Sequence, residues 1–461
     1  MNGWTMYNKD LETARTIAEK VRQAGGRTFF VGGIVRDRIL NIENKDVDIE
    51  VHGVSCEKLA EILDSIGQRM QIGASFGIFG LKGSDVDIAM PRTEKATGKG
   101  HRDFSIFTDP FIGPEKAARR RDFTMNALME DVLTGEILDY FGGVDDARAG
   151  VIRHVNDESF AEDPLRVLRG AQFAARFGFS LAPETAELCG KMDLSALPKE
   201  RVFAETEKAL LKAARPSIYF RVLKDIGQLG FWFPGLEALS GIEQNPRFHP
   251  EGDVFAHTMM VLDNAALLRD KAVNPLGLMF AALCHDLGKA ETTQNIGGSI
   301  HAYRHETAGI ELSGRFMKRL TNEKELRAYV CSMTELHMRP NMMPGQKAGD
   351  KAYMHLFDSS VCPDDLLLLS EADYLGCRTE FPASPDHAEG YEATKQLLLG
   401  KLRDYRQLMS KPYITGADLV REGIKPGPEL GKALEYAHKL RLAGVDRETA
   451  VLQVKGYLKS L

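Results

Sequence analysis

The spacing of apolar residues changes once along the chain, near residue 150, and this change most restricts the folds open to it. Upstream, the amphipathic stretch Leu11–Ala24 predicts a helix, and a second helix is predicted over Ser55–Ile66. Four short β-like runs surround that second helix: Thr28–Val31, Asp46–Val51, Gly77–Leu81 and Val86–Met90. From about Asp157 onward, apolar residues recur almost entirely at helical spacing. We therefore expect an α+β protein, with a mixed α/β head that ends near Gly142-Gly143 and helices after it.

Proline and glycine divide the helical part further. Pro234, Asn245-Pro246 and His249-Pro250 interrupt the pattern, and a Gly/Pro-rich turn at 423–428 precedes a last helix. A chain of 461 residues is also too long for one ordinary core. The expected segments are a head over 1–150, a helical neck over 151–240, a second helical block over 250–400 and a helical tail over 401–461. The polar stretch Arg92–Gly113 lacks periodicity and predicts a mobile loop.

The composition is that of a soluble globular protein, with 43% hydrophobic and 27% charged residues. Met1–Asp10 lacks the apolar region of a secretory signal, and the longest apolar run, Leu276–Cys284, is about half as long as a membrane span requires. Six cysteines without a CxxC pair indicate neither a disulfide framework nor a zinc site. We expect a cytoplasmic protein without membrane contact. The net charge of −6 still allows a local basic groove, and Lys116 with Arg119–Arg121 forms either such a groove or a solvated helix face.

A DxD pattern, Asp46-Val47-Asp48, lies in the second β-like run. Side chains alternate along a strand, so these two carboxylates point to one face. Mg²⁺ favours hard oxygen ligands, and paired carboxylates can hold it for phosphoryl chemistry. Asp87, in the fourth run, is a candidate third carboxylate. The alternative for each residue is an ordinary aspartate at a solvated strand edge.

Gly32 and Gly33 stand just before a helical stretch that carries Arg36 and Asp37. Glycines before a helix N-terminus let backbone N–H groups approach a phosphate, and the helix dipole favours the anion. Arg36 would then contact a triphosphate oxygen. The alternative is a plain tight turn, which would need only one glycine.

Taken in order, these motifs resemble those of the class II tRNA nucleotidyltransferase and bacterial poly(A) polymerase family, in the polymerase β type of nucleotidyltransferases. The likeness covers roughly residues 28–240 and continues through Arg120-Arg121-Asp122, Asn126, Asp139–Gly143, Glu162–Arg166, and Pro198–Arg201 with Glu205. It implies a polymerase β-like head in which Asp46 and Asp48 hold two Mg²⁺ ions. It also implies a nucleotide site lined by Arg121, Asp122 and Asn126. The implied substrates are CTP and ATP, and the implied partner is the 3′ end of tRNA, to which C, C and A are added without a template.

Asp163 and Arg166 stand three residues apart at the start of a helix, on one face. One interpretation is a simple ion pair. In the other, the carboxylate accepts from the exocyclic amine of C or A, and the guanidinium donates to the neighbouring ring nitrogen. G and U present a carbonyl and an N–H there, so both contacts would be unpaired. The resemblance assigns this selection to the same two residues, braced by Glu162, and Arg169 one turn further on could help to position them.

A second cluster, His257, His285-Asp286 and Asp373, has the order H…HD…D. Adjacent residues on a helix point about 100° apart, so His257 and Asp373 must complete any site around His285-Asp286. Imidazoles with carboxylates suit Mn, Fe, Co or Ni, and hold Mg weakly. The run Leu283–Lys289 resembles the HD phosphohydrolase signature, which predicts a second, metal-dependent site.

Three further residues extend this second site. Lys289 could stabilise charge that develops when a metal-activated water attacks a phosphoester. His305 and His337 are either further ligands or phosphate contacts, or ordinary histidines. In this family, the appended HD domain implies activity on 2′,3′-cyclic phosphates and 2′-phosphates.

The sequence leaves several alternatives open. The product is either CCA, a poly(A) tail, or a partial addition of only A or only CC. In an alternative from another class of function, the transferase site is inactive and the HD block acts alone in RNA binding or signalling. The resemblance places a flexible element needed for the switch to A on Arg92–Gly113, including Arg102 and Asp103. The turn Lys425–Pro428 is either a tRNA phosphate contact or a simple helix start. A homodimer is open as well.

Overall fold

The protein is described here by a computed structural model that covers residues 3–44, 46–73, 78–96 and 104–459. The chain divides into two compact units: Met1–Ala209 with Ile218–Phe231, and Leu210–Ser217 with Trp232–Leu461. In the described ranges, no helix is both long enough and apolar enough to cross a membrane. The division into four segments stays a prediction.

The first unit combines a sheet with helices. Its strands are β1 Arg27–Val31, β2 Val47–His52, β3 Arg69–Gly73, β4 Ile78–Leu81, β5 Val86–Ala89, β6 Arg92–Ala96, β7 Phe104–Thr108, β8 Met129–Asp131, β9 Ile137–Leu138, β10 Val151–Ile152 and β11 Ser180–Leu181. The helices that lie wholly or mostly in it are α1 Gly3–Gln23, α2 Gly33–Ile39, α3 Cys56–Asp64, α4 Pro114–Arg119, α5 Gly143–Ala149, α6 Asp157–Ala161, α7 Leu165–Phe177, α8 Pro183–Lys191, α9 Lys199–Lys212, α10 Ser217–Asp225 and α11 Leu229–Trp232.

The main sheet has the strand order β3-β4-β5-β2-β1-β8-β9. β2 and β5 are parallel, and β1 pairs antiparallel with β2 and β8. The core joins alternate residues of β2 to one stripe of α1: Val47, Ile49 and Val51 with Ala14, Ile17 and Val21. Because strand side chains alternate, Asp48 and Glu50 point to the face opposite this core.

The polar stretch predicted as a mobile loop contains two strands instead. β6 and β7 pair antiparallel from Arg92↔Thr108 to Ala96↔Phe104. Such a ribbon is held by backbone hydrogen bonds and needs no buried apolar face, so the side-chain pattern did not reveal it. Arg102 and Asp103 lie outside the described residues. A smaller correction concerns Asp46, which directly precedes β2 rather than lying within it.

The second unit is mostly helical. Its helices are α12 Pro234–Glu237, α13 Val254–Leu268, α14 Pro275–Cys284, α15 Lys289–Thr292, α16 His305–Leu320, α17 Lys324–Leu336, α18 Met338–Gly345, α19 Asp350–Ser359, α20 Pro363–Gly376, α21 Pro385–Ser410, α22 Gly416–Arg421, α23 Pro428–Leu442 and α24 Arg447–Lys459. It also contains a hairpin, β12 Thr293–Ile296 with β13 Ser299–Ala302, where only helices were expected. Gly297 and Gly298, with φ of 59° and 85°, form its two-residue turn, a hairpin signal that the sequence analysis missed.

Two apolar helices position the histidine–aspartate cluster. α13 and α14 are buried along nearly their whole length. A helix that is apolar on all sides lies inside a domain. His257 is therefore carried within the interior on α13, and His285 and Asp286, directly after α14, are also buried.

Candidate active sites

Three carboxylates lie near one another where β2 and β5 run in parallel. Asp48 and Asp87 are register partners, so their side chains lie side by side on one face of the sheet. Asp46 directly precedes β2, and its backbone N–H donates to Asn44 Oδ1 at 2.8 Å. Asp46 and Asp87 are exposed and Asp48 is half-buried. The structure thus brings together the three carboxylates proposed as catalytic.

The electrostatics of this cluster favour a cation. Burial and the charges of Asp87 and Asp46 raise the pKa of Asp48 from 3.8 to about 6, against the lowering effect of Arg121. Adjacent carboxylates repel each other, and a divalent cation among them would remove that repulsion. The donors are hard oxygens, which Mg²⁺ prefers. The residues present therefore fit the predicted Mg²⁺ site.

Arg121 connects the glycine turn to these carboxylates. Its Nη2 donates to Glu50 Oε2 at 3.0 Å, and a Cβ on Gly32 would lie 3.4 Å from its Nη1. Gly32 has a φ of 68°, a left-handed conformation that favours glycine. The sequence analysis missed Glu50, although it follows Asp48 at the same period-two spacing. Burial raises the pKa of Glu50, but the hydrogen bond with His52 and the charge of Arg121 lower it more, to below its ordinary value.

Arg36 lies on the helix that follows the two glycines, as expected, and its side chain is turned inward. Gly33 begins α2, but the Arg36 side chain is only 4% exposed. Its Nε donates to Asp37 Oδ1 at 2.7 Å and its Nη1 donates to Asn126 Oδ1 at 2.6 Å, while its guanidinium lies 4.6 Å from the Phe177 ring centroid. In this structure, these buried acceptors hold the guanidinium. The contact of Arg36 with a triphosphate oxygen stays a prediction.

Asp122 and Asn126 belong to the same buried network. Asp122 Oδ2 accepts from Arg169 Nε at 2.7 Å, and Oδ1 accepts from Asn126 Nδ2 at 3.0 Å. Burial raises the pKa of Asp122, but Arg169 and Asn126 lower it more, so the net shift is downward. Arg169 also lies 4.0 Å from Glu205 Oε1. These residues therefore hold α7 and the segment before β8 in one arrangement next to Arg121.

Asp163 and Arg166 are held by different partners. Asp163 Oδ2 accepts from Arg201 Nη2 at 2.9 Å, an ion pair from the start of α9. Arg166 donates through Nη1 and Nη2 to the carbonyls of Ser159 and Arg120. The carboxylate of Asp163 remains 32% exposed. Arg201, which the sequence analysis quoted only as part of a motif, is thus the cation that orients Asp163.

In the second unit, four histidines share one orientation. The Nδ1 atoms of His285, His305 and His337 lie 2.7 to 2.8 Å from the carbonyl three residues earlier in each case. His257 Nδ1 lies 2.7 Å from Glu251 Oε1. Carbonyls and carboxylates only accept, so each Nδ1 carries the proton and each Nε2 of a neutral ring presents a lone pair.

These Nε2 atoms converge in two pairs. Those of His257 and His285 lie 3.3 Å apart, and so do those of His305 and His337. Facing lone pairs repel, but two nitrogens at this spacing, each about 2.1 Å from a shared ion, subtend an angle between octahedral and tetrahedral values. The spacing fits bound metal ions.

Two buried carboxylates complete the cluster. Asp286 Oδ1 lies 3.3 Å from His305 Nε2, and Oδ2 lies 3.3 Å from His285 Nε2. Asp373 Oδ1 lies 3.2 Å from His257 Nε2. Both oxygens of Asp286 are buried. The ligand atoms form two groups, His257–His285–Asp373 and Asp286–His305–His337, each compact enough for an ion.

The charge state of the cluster also suits a cation. Burial raises the pKa of Asp286, but Lys289 and His285 lower it more, to well below its ordinary value. Burial lowers the pKa of His305, which favours the neutral ring that binds metal. Lys289 Nζ lies 2.7 Å from Asp286 Oδ2 and donates to Gln244 Oε1 at 2.8 Å. The structure thus brings Lys289, His305 and His337 into the cluster.

Three residues behind His257 were missed by the sequence analysis. His249, Glu251 and Cys377 place ligand atoms close to His257 on the side away from the cluster. Burial raises the pKa of Glu251, but hydrogen bonds with His249 and His257 lower it to about 2. The segment before α13 has no helical periodicity, so only the histidine at 249 offered a signal.

Models of known families match the parts of the chain that contain the two candidate sites. Residues 28–153 match the Poly A polymerase head domain, residues 178–239 match the probable RNA and SrmB-binding site of polymerase A, and residues 254–376 match the HD domain. The fold and the carboxylate site define a nucleotidyltransferase with an appended HD domain, and both domains imply the use of divalent metals.

The chain belongs to the family of multifunctional CCA proteins. It is 41% identical to the multifunctional CCA protein of Pasteurella multocida over 319 residues. This alignment covers 68% of this chain and 74% of the relative. It is 43% identical to the multifunctional CCA protein of Mannheimia succiniciproducens over 317 residues. This second alignment covers 66% of this chain and 73% of the relative. The expected family and the expected enzyme class are confirmed.

Solved structures agree on the fold. The Thermotoga maritima CCA-adding enzyme complexed with tRNA has a TM-score of 0.61 and 21% identity, over 97% of this chain and 95% of that one. The Bacillus stearothermophilus CCA-adding enzyme in complex with CTP has a TM-score of 0.66 and 21% identity, over 96% of this chain and 98% of that one. The expected α+β fold class, a mixed head followed by helices, is confirmed.

Proposed function

We propose that this chain adds C, C and A to the 3′ end of tRNA from CTP and ATP, and that its HD domain hydrolyses phosphoesters at RNA ends. The observation that carries the first activity is the cluster of Asp46, Asp48 and Asp87 with its raised pKa at Asp48. The names of the relatives support the product, since they are multifunctional CCA proteins.

At the transferase site, Asp46 and Asp48 would hold Mg²⁺, with Asp87 beside them. Bound Mg²⁺ supplies activation of the RNA 3′-hydroxyl and neutralises charge on the triphosphate. Arg121, braced by Glu50, would contact the triphosphate next to the backbone of Gly32 and Gly33. Asp122 and Asn126 would keep this part of the head in place.

Base selection is proposed for Asp163 and Arg166. Asp163 would accept from the amine of C or A, with Arg201 fixing its carboxylate. Arg166 is held by two backbone carbonyls and would donate to the ring nitrogen. G and U would place a carbonyl against the Asp163 carboxylate and a ring N–H against the Arg166 guanidinium. Two acceptors or two donors facing each other disfavour these bases.

At the HD site, His257, His285, Asp286 and Asp373 would hold a divalent ion such as Ni²⁺, Mn²⁺, Co²⁺, Fe²⁺ or Mg²⁺. His305 and His337 would hold a second ion at the other oxygen of Asp286. The bound metal supplies an activated water. Lys289, beside Asp286, would stabilise charge on the phosphate. The proposed substrates are 2′,3′-cyclic phosphates and 2′-phosphates.

The transferase proposal is tested by extension of tRNA transcripts that end at the discriminator base, at C or at CC. With Mg²⁺, CTP and ATP, we expect three, two and one additions that stop at CCA, and none from GTP or UTP. Unlimited A tails would indicate a poly(A) polymerase, and additions that stop at CC or consist only of A would indicate a partial enzyme. No addition to any transcript would contradict the transferase proposal.

The HD proposal is tested separately with 2′,3′-cyclic AMP as substrate. We expect hydrolysis that is lost with EDTA, restored by a divalent transition metal, and absent from Asp286→Ala. The Asp48→Asn variant, altered only in the transferase site, should hydrolyse at the wild-type rate. Hydrolysis that persists in Asp286→Ala would contradict the assignment.

A further inference from the structure

We propose that Glu251 is the positioning residue of the HD site, holding His257 with Nε2 toward the metal and so raising the affinity for a divalent ion. The inference rests on the metal-dependent function proposed above for this site. It concerns a carboxylate that lies before α13, outside the H…HD…D pattern.

The carboxylate of Glu251 lies against two histidines. Oε1 lies 2.7 Å from His257 Nδ1 and 2.9 Å from His249 Nδ1, and the Glu251 side chain is 1% exposed. A carboxylate accepts and does not donate, so both imidazoles donate to it through Nδ1. The Nε2 atom of His257 is thereby turned toward His285 and Asp373.

His257 differs from its neighbours in this respect. Within the cluster, His285, His305 and His337 donate through Nδ1 to backbone carbonyls, whereas His257 donates to a charged group. A carboxylate behind a histidine makes the opposite nitrogen a stronger ligand, and such partners typically change metal affinity about 10- to 100-fold.

The surroundings of Glu251 suit a buried charge that acts on a metal. Its Oε2 is buried and accepts no hydrogen bond, so its charge is compensated only from one side. Cys377 packs against the same group, with Sγ 3.9 Å from His249 Nδ1 and 3.4 Å from the carbonyl of Asp373. A divalent ion at Nε2 of His257 would supply the missing positive charge.

The test is a titration of the full-length, metal-free chain with Co²⁺, followed by its visible absorption. We expect Glu251→Gln to raise the Kd about 10- to 100-fold and to change the absorption spectrum. Glu251→Asp, which keeps the charge on a shorter side chain, should recover part of the affinity. The matched control is Glu243→Gln, at an exposed position, and it should bind as the wild type does.

The outcomes separate two failures. If the wild type does not bind Co²⁺ at His257 and His285, the proposed function of the HD site fails. If the wild type binds and Glu251→Gln binds with the same Kd and spectrum, the role of Glu251 is overturned. If Glu251→Gln does not fold, by circular dichroism, Glu251→Asp decides, since wild-type affinity and spectrum in that variant would overturn the role.

Discussion

Asp48 and Asp87 are register partners in the parallel strands β2 and β5, and burial together with their mutual repulsion raises the pKa of Asp48 to about 6. Without a metal, ionised Asp48 therefore destabilises the head. Its protonation contributes stability that is fully present below the unfolded pKa of 3.8 and is lost as the pH rises through about 6.

Asp48→Asn should accordingly stabilise the metal-free protein at pH 8, by about 1–3 kcal/mol, and have little effect at pH 4. Thermal unfolding in EDTA at the two pH values measures this. Added Mg²⁺ should stabilise the wild type and not the variant, because the variant lacks a ligand. A variant less stable than the wild type at pH 8 in EDTA would show that Asp48 is not repelled as described.

Arg201→Ala should weaken base selection, because Asp163 loses the cation that orients it. Losing a charge-assisted hydrogen bond costs about 1.5–3 kcal/mol, so kcat/KM for CTP and ATP should fall about 10- to 100-fold. Incorporation of G or U should rise relative to C and A. Single-nucleotide extension assays measure both, with Glu200→Ala at the exposed preceding position as the control. Unchanged kcat/KM and unchanged rejection of G and U would refute the assignment.

Asn126→Ala should destabilise the head, because it leaves the buried Arg36 and Asp122 each without a partner atom. A buried polar group left unsatisfied costs about 1–3 kcal/mol, and more when it is charged. Denaturant unfolding measures the loss, and Asn8→Ala at an exposed position of α1 should have little effect. Wild-type stability in Asn126→Ala would mean that the network can be repaired locally.

His337→Gln should remove one of two ions from the HD site, because Asp286 presents one oxygen to each histidine pair. Equilibrium dialysis with Co²⁺, in an Asp46→Asn background that weakens the transferase site, should give about two ions per chain before the change and one after it. His301→Gln, on the hairpin, is the control and should keep both. Equal metal content in His337→Gln would show that this residue is not a ligand.

Local patterns in the sequence predicted much of the first site. Val47, Ile49 and Val51 alternate with Asp48 and Glu50, and a period of two is visible in any β-strand that buries one face. The same rule failed at Arg92–Ala96 and Phe104–Thr108, because a two-stranded ribbon needs no buried face. The hairpin Thr293–Ala302 was missed although its glycine pair is a recognised turn signal.

The sequence by itself determined the family and the mixed head followed by helices, because ordered motifs and periodicity are properties of neighbours in the chain. It also predicted the residue types of both candidate sites. Tertiary structure alone decided which partners those residues have. In the folded chain, Arg36 donates a hydrogen bond to Asn126, and Arg201 forms an ion pair with Asp163. Glu251 accepts a hydrogen bond from Nδ1 of His257. Hydrogen bonds and ion pairs act over about 3 Å. Partners 38 or 90 residues apart therefore meet only when helices and strands pack.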